Sequence, residues 1–504
     1  MEFLYADAIR AVDSYAQTHL SLPPDVLMAR SGEAVAEAVC RLTKAGLVLI
    51  FAGPGNNGGD GYAAACLLSE TREVVVADVL NAGQKTDAGK LHLRAYREAG
   101  GRVCTLAEAV AMLPRAACLV DAVFGTGFHG EIPAELRDLL RRIADLPVPR
   151  VAVDVPLGVN ADNGELADPH FRADETVVLS FLKPGLVSYP AKEAVGKIVL
   201  ADLGLPKAEI LSHVPPVGDY LDAAWARCAL PLRPDASHKG TFGKALVVTG
   251  SDAYRGAAFL SLEAALRGGA GYVTFYGEDS LADALLPRFP EALYRRAPLS
   301  DLPALLAADA GQSATLIGCG CGASPTVADA VFALLRAEGG TLVLDADAIN
   351  ALAADPRAAA DALRTARRPV ILTPHPLEFA RLTGRSVADV TAHRIDSART
   401  FAADTGTVVV LKGAATVVTD GKTLRVNGSG SSALAKAGSG DVLAGLTVSL
   451  AAVGQSPLDA ASLAVYLHGA AGDLLAEEYS HAGVTPSDLP KTVAACYANL
   501  EKEI

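Results

Sequence analysis

The chain of 504 residues has no uninterrupted apolar stretch long enough to span a bilayer, although 51% of its residues are hydrophobic. Much of that fraction is alanine spread over helix-like segments, which describes a core. Positive charge is also scarce. Against 57 acidic residues stand 44 lysines and arginines, and a net charge of −13 argues against a general nucleic-acid or membrane-surface binder. Small anionic ligands need only a local site and stay open. The opening MEFLYADAIRAVDSYAQ lacks a basic segment ahead of an apolar one and carries Glu2, Asp7 and Asp13. It is expected to form an amphipathic helix of the mature protein, not a signal peptide. Zinc-ligand spacing is missing too: the eight cysteines are scattered, and the one close pair, Cys319 and Cys321, has no further Cys or His ligands beside it. Reduced core thiols in a cytoplasmic protein are expected. No G-x-x-x-x-G-K-[ST] occurs, which excludes a Walker-type NTPase.

What is present is alternation. Short β-branched runs (LVLIFA, EVVVADVL, CLVDAVF, RVAVDV, TVVLSF, KIVLADL) alternate with alanine- and leucine-rich segments, the pattern of parallel sheets with crossover helices. The pattern breaks from Leu205 to His238, where several prolines and the only Trp fall. A second series follows (ALVVTG, YVTFYG, ATLIGCG, TLVLDA, PVILTP, VVVLKGA), then VVTDGKTLRVNG, which resembles a hairpin turning at Asp420-Gly421. Two α/β domains are therefore expected, residues 1–215 and 222–504, with ligands beyond the carboxyl ends of the strands.

GPGNNGGDGY, residues 53–62, fits G-x-G-x-x-G between a strand and a helix, with Asp78 lying 20 residues beyond Gly58. That context suggests a dinucleotide fingerprint. Asp60, however, places a carboxylate near the helix N-terminus, where bound phosphates would be opposed. Other strand ends add Asp121 before FGTGFHGE, Asp154 before PLGVNAD, and Lys183 in SFLKPG. Asn57 and Asp121, with backbone carbonyls, suit a hard monovalent cation. Asp154 and Lys183, opposite charges at apolar strand ends, suit proton transfer.

LMARSGEAVAEAV, GPGNNGGDGY, VDAVFGTG, VAVDVP and LKPG, in this order, resemble the epimerase half of the bifunctional NAD(P)HX repair enzymes. The resemblance implies a Rossmann-like αβα domain that interconverts the R and S forms of NADH or NADPH hydrated at nicotinamide C6. It implies K+ at Asn57 and Asp121. Gly58, Gly59, Asp60, Gly61, then Gly125, Thr126, Gly127, Phe128, His129, Gly130, Glu131, and Asp154 match the hydrate site. The family usually has Ser where this chain has Leu157, a third expected potassium position that offers only its carbonyl.

In the second half, AKAGSGDVLAG places Gly438, Ser439 and Gly440 at a helix N-terminus, a site for phosphate oxygens, with Asp441 positioned as a base toward an attacking hydroxyl. SHKGTFGKALVVTGS, LIGCGCG, VLDADAIN, ILTPHPLEFARLTG and VVLKGAATVV resemble the ADP- or ATP-dependent NAD(P)HX dehydratase, a ribokinase-like αβα fold. The resemblance implies Asp441 as catalytic base and hydrate contact. It implies Gly322, His375, Pro376 and Glu378 at the hydrate. Lys412, Gly413, Ala414, Ala415, Thr416, Gly438, Ser439 and Gly440 match nucleotide contacts. ADP as co-substrate and Mg2+ are expected, the partners being NADHX, NADPHX, ADP and further copies of the chain in a homo-oligomer. Two departures from the family pattern are GSGSSALA before the glycine turn and Cys319 within Gly318-Cys319-Gly320. Two other readings stay open: a ribokinase-like small-molecule kinase, and a first domain that binds without catalysing.

Overall fold

Along Leu47–Ala52, Val48 and Ile50 enter one apolar cluster while Leu47, Leu49 and Phe51 enter another. A strand buried on both faces needs helices on both sides, which is the three-layer αβα arrangement. The second half repeats it: in Lys244–Val248, Ala245 and Val247 face one cluster, Leu246 and Val248 the other. The computed structural model describes residues 1–127, 130–304 and 311–502. Its chain divides into two compact units, Glu2–Gly218 and Asp219–Ile504 with Met1.

The first unit carries seven parallel strands in the order Arg102–Thr105, Val74–Asp78, Leu47–Ala52, Ala116–Ala122, Arg150–Val153, Glu175–Leu179, Lys197–Ala201. The order turns back between Leu47–Ala52 and Ala116–Ala122. A crevice for ligand forms at such a switch point, beyond the carboxyl ends. Helix Asn56–Ser69 leaves there and packs closely: a Cβ on Gly58 would lie 1.9 Å from the Gly53 oxygen, and one on Gly61 2.8 Å from Ala122 Cβ. Bare glycine at these positions lets helix meet sheet.

In the second unit, Leu293–Arg296, Tyr272–Gly277, Lys244–Val248, Ala314–Ile317, Thr341–Leu344, Val370–Leu372 and Val408–Leu411 pair in parallel in that order. Val417–Thr419 and Leu424–Asn427 then continue the sheet antiparallel, as the hairpin expected around Asp420-Gly421. The apolar helix Ser439–Ala452, buried along most of its length, runs beneath this sheet. Among the short strands that escaped the sequence reading are Arg102–Thr105 and Leu293–Arg296. Both lie at sheet edges and are half exposed, so neither shows the apolar run of an interior strand.

Candidate active sites

Two adjacent strands of the first unit end in the same unusual turn. Asp154 has φ 64° and Ser180 φ 58°. At each, the next residue's N–H bonds back across it, Val155 to the Val153 oxygen and Phe181 to the Leu179 oxygen, both at 2.7 Å. Positive φ with an i to i+2 bond is a γ-turn that stores strain, and it turns both side chains out of the sheet. Asp154 Oδ1 accepts from the Leu179 N–H at 3.1 Å and from Lys183 Nζ. Lys183 is fully buried, its ammonium also donating to the Leu179 oxygen at 3.3 Å. Ser180 Oγ is buried with no hydrogen-bond partner.

These groups line a cavity of about 480 Å³ together with Asn57, Asp60, Gly125, Thr126 and Gly127. The structure does not bring the whole expected set there. Gly58, Gly59 and Gly61 are buried in helix packing, Gly59 against Met28, and the loop contributes Pro54, Gly55 and Asn56 instead. Gly130 and Glu131 are exposed, Glu131 lying 3.9 Å from Arg137, and neither lines the cavity. Phe128 and His129 lie outside the described residues. The two N-terminal helices, which the sequence reading left without a role, supply Arg10, Asp13, Met28 and Ser31.

Electrostatically the cavity holds three carboxylates against one buried ammonium. Burial, then the charge of Asp154, pushes Asp13 up to about 6, with Lys183 opposing. Asp60 is displaced upward more strongly, by burial and then by Asp154, while a hydrogen bond from Ser31 lowers it. Sites that retain protons near neutrality serve general acid–base chemistry.

The expected cation residues lie beside this cavity. Both side-chain polar atoms of Asn57 are buried without partners, and Asn57 Oδ1 points at Gly125, 3.4 Å from where a Cβ would be. A buried amide left unpaired is costly, and a hard cation at its oxygen relieves that cost. Asp121 is buried and held by N–H donors, Val123 to Oδ1 at 3.1 Å and Leu157 to Oδ2 at 2.6 Å. Leu157 points its side chain into the apolar cluster, and its carbonyl already accepts from the Phe171 N–H at 2.9 Å. Its part here is therefore to orient Asp121. The unpartnered Asn57 oxygen suits a monovalent cation, and both Asp121 oxygens already accept N–H bonds.

In the second unit the glycine turn is in place. Gly438, with φ 99°, precedes helix Ser439–Ala452, and Asp441 stands in its first turn. Lys412 Nζ lies 3.3 Å from where a Cβ of Gly440 would be, which brings an ammonium to the same helix N-terminus. Lys412 donates to Asp345 Oδ1 at 2.8 Å, as does Thr373 Oγ1 at 2.8 Å, and the Cys319 thiol donates to Asp345 Oδ2 at 3.4 Å. Burial and then Asp345 push the Asp441 carboxyl up to about 6, against Lys412 and a hydrogen bond with Cys319. Burial opposes the charge on Lys412, but Asp345 and Glu378 outweigh it and raise that ammonium.

His375 caps helix Pro376–Thr383, with Pro376 at its first position. His375 Nδ1 accepts from the Leu377 and Glu378 N–H groups at 3.1 and 3.3 Å, and Glu378 returns a bond to the His375 N–H at 2.8 Å. Two donors on Nδ1 put the ring proton on Nε2. Burial, then Lys412, lowers the imidazole and keeps it neutral. Gly322, at φ 82°, donates its N–H to Asp347 Oδ2 at 2.7 Å. Gly413 and Ala415 take positive φ, Ala414 is exposed, and Thr416 Oγ1 closes the loop onto the Gly413 oxygen at 2.9 Å. Ser439 Oγ meets buried His468 Nε2 at 3.1 Å, and burial drives that imidazole down to about 4.

Asp345, Thr373 and His468 were not singled out from sequence, and Cys319 stood out only as a close cysteine neighbour and a departure from the family pattern. VLDADAIN carried the signal for Asp345, since Ala346 between two aspartates takes φ 47° and splits their directions. Among the described residues, Cys319, Asp345 and Asp441 have ligand atoms within 4.8 Å of one another. They do not fit a dedicated Mg2+ cage: one ligand is a soft thiol, and Lys412 already neutralises Asp345.

These units define a class: a two-domain α/β protein with a Rossmann-like cavity in its first unit and a ribokinase-like glycine turn in its second. A family model described as NAD(P)H-hydrate dehydratase matches residues 245–495, and one described as YjeF-related protein N-terminus matches residues 24–185. The bifunctional NAD(P)H-hydrate repair enzyme of Moorella thermoacetica is 35% identical, covering 100% of this chain and 98% of that one. The corresponding Escherichia coli enzyme is 33% identical, over 97% of this chain and 92% of its own. The crystal structure of the ADP/ATP-dependent NAD(P)H-hydrate dehydratase of Bacillus subtilis, co-crystallised with ATP/Mg2+, covers 56% of this chain and 98% of its own. Its identity is 32% and its TM-score 0.50. The chain belongs to the bifunctional NAD(P)H-hydrate repair enzymes. Among the described residues no helix is long and apolar enough to cross a membrane.

Proposed function

We propose that this chain epimerises R- and S-NAD(P)HX in its first unit and dehydrates the S form to NAD(P)H in its second, consuming ADP and releasing AMP and phosphate. The observation that carries the reading is Asp441, a carboxyl raised to about 6 at the end of a glycine turn, in a chain that also holds the buried Asp154–Lys183 pair.

Hydroxide is a poor leaving group. Asp441 accepts the proton of the C6 hydroxyl as that oxygen attacks the terminal phosphoryl group. The phosphate then departs as the ring nitrogen forms a double bond to C6, and loss of a C5 proton restores the dihydronicotinamide. Gly438, Ser439 and Gly440 offer N–H groups to phosphate oxygens, and Lys412 adds a positive charge beside them. Mg2+ accompanies the nucleotide phosphates and neutralises their charge. His375, as the Nε2–H tautomer, offers a neutral donor to the hydrate.

In the first unit, Asp154 and Lys183 exchange protons with the C6 hydroxyl. The acidic end of the cavity repels phosphate, so the pyrophosphate lies toward the glycine loop 125–127. Asn57 and Asp121 would hold K+, whose charge would balance the buried carboxylate. Soluble small molecules are the expected partners, with copies of the chain in a homo-oligomer.

The test supplies an R/S mixture of NADH hydrates with ADP, or with ATP, and follows recovery of near-ultraviolet NADH absorbance. Full recovery faster than spontaneous epimerisation is expected. Phosphorylated hydrate without recovery would point instead to a kinase.

A further inference from the structure

Resting on the epimerase reading, we propose that Asp13 is a second proton-transfer residue of the first unit's cavity, working with Asp154 on opposite faces of the hydrate ring. The chemistry requires two such groups. In one turn the C6–O bond breaks as the departing hydroxyl takes a proton and leaves as water, while the N1 lone pair becomes the C6–N1 double bond. Water then adds to C6 from the other face, the double-bond electrons return to N1, and the surplus proton passes to a base on that face. A single acid–base group returns the hydroxyl to the face it left. Interconversion of R and S therefore needs a donor on one side and an acceptor on the other, exchanging roles for the reverse reaction.

Asp154 and Lys183 supply one side, from strand ends. The N-terminal helix Ala6–His19 supplies the other, and its position is tied to the same strand ends. Leu4 N–H donates to the Leu182 oxygen at 3.1 Å, next to Lys183, and Ala6 N–H donates to Asp162 Oδ1 at 2.7 Å, in the loop that follows Asp154. Ala16 is buried in the core, while Ile9, Asp13 and Gln17, four residues apart, line the cavity together with Arg10 and Val12. Asp13 is close enough to respond to both members of the pair, Asp154 raising its proton affinity and Lys183 lowering it. The other charged groups lining the cavity are Asp60 and Arg10, the latter bonded to Asp7 at the surface. Asp13 and Asp60 both hold protons more tightly than an ordinary carboxyl, so a proton is retained near neutrality.

The test uses the full chain, ADP and an R/S mixture of NADH hydrate. The S form is consumed first and reports the dehydratase; the slower phase reports epimerisation of R. Asp13→Asn is expected to leave the first phase intact and slow the catalysed second phase by at least ~100-fold. The limb near pH 6 in that phase, present in the parent, disappears in Asp13→Asn and persists in Asp13→Glu, whose rate is partly restored. A loss below threefold in Asp13→Asn, or a larger loss with the limb still in place, overturns the role. A parent whose second phase is no faster than spontaneous epimerisation overturns the epimerase reading itself, a separate outcome.

Discussion

Replacing Asp441 tests the dehydratase mechanism through two quantities that come from one carboxyl. A base raised to about 6 is about 90% ionised at pH 7 and about 10% at pH 5, so the rate falls roughly tenfold over that interval. Asp441→Asn removes the base and is expected to cost 10²- to 10⁴-fold at pH 7. Neighbouring charges then move the limb in opposite directions. Asp345 raises the Asp441 carboxyl and Lys412 lowers it, so Asp345→Asn shifts the limb to lower pH and Lys412→Met to higher pH. Stability gives an independent reading. Because the folded state raises this carboxyl, its ionisation opposes folding: the penalty is absent below about pH 4 and complete above about pH 6. A displacement of about two units has a ceiling of about 3 kcal/mol, which partial exposure reduces to ~1–2 kcal/mol. Asp441→Asn should therefore be inactive yet more resistant to denaturant at pH 7, and no more resistant at pH 3.5. Initial rates on the S hydrate at saturating ADP from pH 5 to 9, with urea titrations at both pH values, provide the measurement. Asp441→Asn with more than a tenth of parental activity, or an Asp345→Asn limb moved upward, refutes the assignment.

Asn57→Ala should abolish any rise in thermal midpoint of the first unit on replacing Na+ by K+, since it removes the unpartnered buried amide; calorimetry reads this directly. Cys319→Ala deletes a hydrogen bond that lowers Asp441, so the dehydratase acid limb should move to higher pH, while Cys319→Ser leaves it nearly in place. Gly438→Ala forces a Cβ at φ 99° to within 2.6 Å of Leu260 Cδ1 and should cost ~1–3 kcal/mol of stability, with weaker ADP binding by calorimetric titration. Gly58→Ala places a Cβ 1.9 Å from the Gly53 oxygen and should unfold the first unit while the dehydratase phase survives.

The α/β layering was legible from the chain alone, because an interior parallel strand must be apolar on both faces and so stands out as a run. The sequence also carried the glycine turn with Asp441, Asp154 and Lys183, since chemistry at strand ends and helix starts is local in the chain. Edge strands such as Arg102–Thr105 were hidden, because half-exposed residues carry no such run. The glycines of GPGNNGGDGY were legible, but their use was not. Gly58, Gly59 and Gly61 serve packing, and only the close approach of strand and helix reveals that. The roles of Asp13, Asp345 and Cys319 became visible only in three dimensions. Each acquires its character from partners distant in sequence: Asp154 and Lys183 for Asp13, Lys412 and Thr373 for Asp345, and Asp345 and Asp441 for Cys319. Proton affinity in a buried site is a sum over neighbours, and those neighbours are assigned by the tertiary fold.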